Sequence, residues 1–163
     1  MRKVNMDEEY RQYRVDQAEA WLSKVRRAVD YERALRATAD AQLEMADGLR
    51  GIDYAEVRVA TSPSPDAIPN AVAAHMEAVE AILEIAADAA ERVRRATDAL
   101  AAMPDRTEAS ALQLYYVAGW KWEEVCVEMG YTWDGMMKLR RRALYDAYEV
   151  MPHSEREPVQ PAI

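Results

Sequence analysis

WEEVCVEMGYTWDGMMKLRRRALYDAY, residues 122–148, divides at Gly130-Tyr131-Thr132 into two helical segments. The spacing predicts a helix-turn-helix. Counting back four positions from Gly130 reaches Cys126, a small residue where two crossing helices approach most closely. Val125 and Met129 flank it on the inward face, and Met136 and Leu139 continue the apolar stripe on the second helix. Gly130 supplies the positive φ of a sharp helix end. Thr132 is placed to cap the next helix. A second helix presented in this way fits a DNA major groove.

That second helix also carries the densest cation group in the chain. Lys138, Arg140, Arg141 and Arg142 fall within five residues. In a helix facing DNA, Thr132, Trp133, Asp134, Met137, Lys138 and Arg141 would meet the bases. Arg140, Arg142 and Lys121 would meet phosphates. The formal net charge is −8. This counts against unselective coating of nucleic acid, which depends on basic surface, but it is compatible with a binder whose cations sit on one helix.

Upstream, two long amphipathic helices are expected. The first runs from about Asp7 to about Ala46, with Val15, Ala18, Leu22, Val25 and Val29 at alternating three- and four-residue steps, and Gly48 and Gly51 ending it. Residues 48–69 form a crossover ending in TSPSPDAIPN, whose prolines exclude a regular helix. Asn70 is the expected cap of the second helix, Ala71–Ala102, whose seam reads Val72, Met76, Val79, Leu83, Ala86, Ala90, Val93, Thr97 and Leu100. Two such helices with one linker predict an antiparallel, coiled-coil-like hairpin. The seam expected is Val72, Met76, Val79 and Leu83 against Val15, Leu22, Val25 and Val29. An intermolecular coiled coil, hence a homodimer, would use the same residues. Thr107 is read as the cap of a short helix, Glu108–Ala118, that precedes Gly119. The whole is an all-α chain: a hairpin over 7–103, a helix-turn-helix unit over 104–151, and a flexible tail over 152–163.

Composition agrees with an all-α class. Alanine is abundant, there are only 5 glycines, and half the residues are apolar, enough for a core. No apolar run approaches the roughly 20 residues of a membrane span, so no membrane partner is expected. MRKVNMDEEYRQYR lacks the apolar stretch of a signal peptide, and one cysteine cannot form an internal disulfide. A cytoplasmic setting follows as the expectation. His75 and His153 have no ligand-spaced companions, so neither a metal nor another cofactor is expected. Cys126, on the inward face, reads as core and not as a reactive thiol. No nucleophile–base pairing or glycine-rich phosphate loop stands out, and enzymatic activity is not expected.

The C-terminal third, LQLYYVAGWKWEEVCVEMGYTWDGMMKLRRRALYDAY, resembles region 4 of sigma-70-type transcription factors. The order matches: a short helix with a leucine-tyrosine pair, a glycine turn, a tryptophan-led helix ending in Gly-Tyr, then a helix with a basic middle and an Ala-Leu pair. Over roughly residues 10 to 150 the chain is similar to phage and prophage late transcription regulators of the RinA and ArpU type, Ser62-Pro63-Ser64-Pro65 lying in the linker. The resemblance implies a phage-encoded regulator that binds double-stranded promoter DNA or works beside host RNA polymerase. The chain departs from the family at Lys121, where a serine or threonine cap is usual, and at Trp133-Asp134-Gly135-Met136-Met137, an apolar opening that holds an acid. Gly135 costs roughly 1 kcal/mol in a helix interior.

Two rivals belong to other classes. In a protein-interaction module the helix-turn-helix is only a scaffold, a reading favoured by the acidic net charge and the apolar opening. A small terminase subunit of a phage packaging motor also joins a helix-turn-helix to a coiled coil; a ring of many subunits in solution would single it out.

Overall fold

The computed structural model describes residues 6–51 and 66–158. These are helical, with no strand among them. Helix α1 spans Met6–Arg50, α2 Ala67–Ala101, α3 Arg106–Leu112, α4 Trp122–Met129 and α5 Trp133–Val150. A π-helical turn, Gln113–Val117, continues α3, and a 3-10 turn, His153–Glu155, follows α5. Most of the expected crossover, 52–65, lies outside the described residues.

Two compact units form, one of residues 1–30 with 91–163 and one of residues 31–90. The expected boundary at 103/104 is therefore displaced. The reason is the first unit's core, in which Trp21, Leu22 and Val25 of α1 and Ala96 and Leu100 of α2 pack with Leu112, Val125, Met136 and Leu144. The ends of both long helices belong to the core of the C-terminal unit.

In the second unit the buried positions are Ala39 and Ala46 on α1 and Val79 and Ala86 on α2. Gln42 and His75 hydrogen-bond from one helix to the other. This core is small, built mainly on alanine. The expected seam is corrected in two ways. Val15, Leu22 and Val25 share a core with the end of α2, not with its start. In a hairpin, the residues next to the connection face each other, so early α1 must meet late α2. Leu83 is also 41% exposed. Ile82 and Ala96 take the inward phase where Leu83 and Thr97 were expected, since Ala96 is buried and Ile82 half-buried.

The caps differ from expectation at two helix starts. Helix α2 begins before Asn70, whose N–H donates to the Asp66 carbonyl at 2.9 Å. Pro69 falls in the first turn, where its missing N–H costs nothing. Asp105, not Thr107, caps α3: its carboxylate accepts from the N–H groups of Thr107 and Glu108 at 2.9 and 3.1 Å. Asp is among the best N-caps, and Asp105 lies just where the chain leaves Pro104.

Where a regular helix to Ala118 was expected, the chain widens into the π turn, with Ala118 N–H donating to the Gln113 carbonyl at 2.9 Å. Widening lets two adjacent tyrosines address one indole. Tyr115 stacks on Trp122 at 4.3 Å, and Tyr116 meets it edge-on at 6.4 Å. Arg26 of α1 satisfies the carbonyls this leaves open. Its guanidinium donates to Tyr115 O at 2.9 Å and Trp120 O at 3.1 Å, over the Tyr115 ring.

The stretch expected as a flexible tail is held as far as Glu157. Arg156 donates to the carbonyls of Tyr148 and Met151 at 2.9 and 3.2 Å and lies over the Tyr148 ring. The Tyr13 hydroxyl donates to Glu157 O at 2.7 Å, and Glu157 N–H donates to Gln17 Oε1 at 2.8 Å. Proline-rich polar composition hides these contacts, because they are made by backbone groups and not by apolar side chains.

Candidate nucleic-acid interface

Gly130 ends α4 at φ 70°. The N–H of Tyr131 reaches back to the Cys126 carbonyl at 2.9 Å, closing the turn. Thr132 then caps α5, its Oγ1 accepting from Gly135 N–H at 3.2 Å. Gly135 fits this cap closely: a Cβ there would sit 3.1 Å from Thr132 Oγ1. Its cost to helix propensity thus has a local counterpart that propensity alone does not reveal. At the other end of the unit, Lys121 precedes α4 with extended backbone. Glu124 supplies the cap that Lys121 cannot, accepting from the Lys121 N–H at 2.7 Å.

Helix α5 buries Met136, Leu139, Ala143, Leu144 and Ala147. Val125 and Cys126 of α4 are buried and Met129 is half-buried, as the inward phase predicts. Helix α3 packs on α5. The opening of α5 is open to solvent: Thr132 and Asp134 are exposed, and Trp133 is 50% exposed. Met137, expected at the bases, is half-buried and packs against the core.

The cation group is divided by the fold. Arg140 is half-buried, ion-paired to Glu19 of α1, and lies 5.7 Å from the Trp122 ring. Arg142 pairs with Glu108, a carboxylate only 1% exposed. Arg140 is thus drawn back from the surface, whereas Arg142 is itself exposed but committed to a buried carboxylate. Arg141 is exposed and pairs with Glu8 at 2.8 Å, with Gln12 Oε1 at 3.3 Å. Lys138 and Lys121 are exposed and have no ion-pair partner among the described residues.

Burial is the first cause pushing the Glu108 carboxyl above its ordinary range. Arg142 opposes it, and Asp146 and Asp105 add to it. The same pairing pushes the Arg142 guanidinium up.

Two further features of this face were not singled out in the sequence. Arg14 of α1 is buried; it donates to Tyr145 O at 3.1 Å, pairs with Glu149 at 2.7 Å and lies 4.0 Å over the Tyr145 ring. Its signal was a cation one residue from the Val15–Ala18–Leu22 stripe. The second is a groove of about 540 Å³ between the first turns of α1 and the middle of α5, lined by Arg11, Lys138, Arg141, Arg142, Glu8 and Tyr145 among others. No periodicity could have brought Arg11 to Lys138.

No group of three or more metal-ligating side chains occurs among the described residues, and no described helix is long and apolar enough to cross a membrane. Comparisons with family models, curated proteins and solved structures gave no match.

Proposed function

We propose that the chain is a DNA-binding regulator of transcription, of phage or prophage type, that sets the opening of α5 in the major groove. The observation that carries this reading is the turn itself: Gly130 at positive φ and Thr132 as cap hold α4 and α5 in a helix-turn-helix order, with the first turn of α5 open to solvent. The resemblance of residues 112–148 to sigma region 4 supports the same assignment. Trp133, Asp134, Lys138 and Arg141 are the residues on the presented surface that would meet base edges, and Lys121 the one that would meet a phosphate. Host RNA polymerase is the proposed protein partner, since an acidic chain gains little non-specific affinity for DNA on its own.

A second reading has its own observation. Three of the four clustered cations are ion-paired within the chain, while Trp133 and Val127 are exposed at 50% and 85%. Exposed aromatics of this kind anchor protein partners. Electrophoretic mobility shift on phage promoter fragments, with and without host polymerase, separates the two. A shift that is lost with Lys138→Ala supports DNA binding. No shift at about 50 mM salt under either condition gives the interaction module the stronger claim.

A further inference from the structure

We propose that the groove between α1 and α5 is a phosphate-binding site, with Arg11, Lys138 and Arg141 as its ligating cations and Glu8 as a built-in competitor. The groove brings cations from two distant parts of the chain to one concavity of about 540 Å³. Arg11 and Lys138 line it without an ion-pair partner among the described residues. The groove's four cations, Arg11, Lys138, Arg141 and Arg142, outnumber its two carboxylates, Glu8 and Asp146. The excess positive charge repels itself, and an anion in the groove reduces that repulsion.

The third cation shows which kind of anion. The Arg141 guanidinium is already occupied by an oxyanion, the Glu8 carboxylate at 2.8 Å, with the amide oxygen of Gln12 beside it at 3.3 Å. A guanidinium binds a phosphate through the same planar donors as a carboxylate. The Glu8–Arg141 pair is more than half exposed on both sides, at 59% and 58%, so it is weak enough to be displaced.

A phosphate reaches such a groove either as part of a nucleic-acid backbone or as a small phosphorylated molecule. The duplex form of this inference rests on the DNA reading above, moves Lys138 and Arg141 from the base edges to the phosphate backbone, and would make α1 part of the DNA interface. The small-molecule form does not depend on that reading.

The test titrates the full chain with sodium pyrophosphate by calorimetry and with a 20-base-pair duplex by fluorescence anisotropy. It compares wild type, Arg11→Ala with Lys138→Ala, and Glu8→Gln, each checked for an unchanged helical melting curve. The double variant should lower the salt slope of duplex affinity by about 0.9 for each contact removed. Glu8→Gln should tighten pyrophosphate by about two- to fivefold, the strength of an exposed ion pair. Pyrophosphate binding lost in the double variant, with no duplex binding, supports the groove and removes the DNA reading. Duplex binding with no pyrophosphate binding and an unchanged slope in the double variant overturns the groove and keeps the DNA reading. Binding of neither ligand overturns both.

Discussion

Arg142 of α5 holds the carboxylate of Glu108, a side chain 1% exposed near the start of α3, while its own guanidinium stays largely in solvent. The pair ties α3 to the helix proposed to face DNA. It also explains why a cluster read as a solvent-facing basic surface is partly structural. One Glu108 oxygen, Oε2, is buried with no hydrogen-bond partner. Burial therefore outweighs the arginine and raises the carboxyl's pKa.

A raised value in the folded state means that folding favours the protonated form. The stabilisation is complete below the unfolded value of about 4.3 and is lost as pH rises through the folded one. Glu108→Gln removes that titration. The variant should therefore gain stability relative to wild type between about pH 4 and about pH 7, by urea unfolding. An identical stability difference at both pH values would show that Glu108 does not titrate abnormally.

Leu100 and Leu83 test the corrected seam of α2. Leu100 is fully buried in the core of the first unit, whereas Leu83 is 41% exposed. Leu100→Ala should cost about 2–5 kcal/mol. Leu83→Asp, which the expected heptad would have made severe, should stay within about 0.5 kcal/mol, the usual range for surface positions. Thermal melts of the two variants decide it. A large loss from Leu83→Asp would restore the original phase.

The α5 stripe was legible because Met136, Leu139 and Ala143 have one inward phase and the turn fixes its start. The α2 seam was less so. Alanines occur at nearly every phase, and Leu83 and Ile82 are adjacent, so apolarity alone did not choose between them. The proposed DNA-facing cations were legible as residue types but not in their pairings. Glu8, Glu19 and Glu108 come from distant parts of the chain, and only the tertiary fold sets them against Arg141, Arg140 and Arg142.

Arg26 bridges the carbonyls of Tyr115 and Trp120 and covers the Tyr115 ring. A lysine cannot span two acceptors with a rigid planar head. Arg26→Lys should cost up to about 1.5–3 kcal/mol, the range for hydrogen bonds to a charged group. It should also alter tryptophan emission in the folded state, because Trp120 and Trp122 lie at the clamped turn. Unchanged stability and emission would mean that the π turn holds its shape without the clamp.

Cys126 lies 8% exposed at the crossing of α4. A thiol this far from solvent is out of a reagent's reach until the helices part. Native protein should react with a thiol reagent far more slowly than protein in denaturant. Labelling at the same rate in both would put Cys126 on the surface and shift the phase of α4.

The division of the cations predicts a division of mutant effects. With Arg140 and Arg142 held by Glu19 and the buried Glu108, a duplex at the helix-turn-helix would use Lys121, Lys138 and Arg141, the last by displacing its exposed partner Glu8. About three contacts at 0.9 each give a slope near −2.7 in log affinity against log salt, or a loss of about one and a half decades from 50 to 200 mM. Arg141→Ala should reduce both this slope and the discrimination between sites. Arg140→Ala should lower the melting temperature, since it removes the partner of Glu19 and the guanidinium over the Trp122 ring, while leaving the slope unchanged. Anisotropy titrations at several salt concentrations, paired with melting curves, make the comparison. Were Arg140→Ala to flatten the slope as Arg141→Ala does, the Glu19 pair would have to open on binding, and Arg140 would return to its expected place at a phosphate.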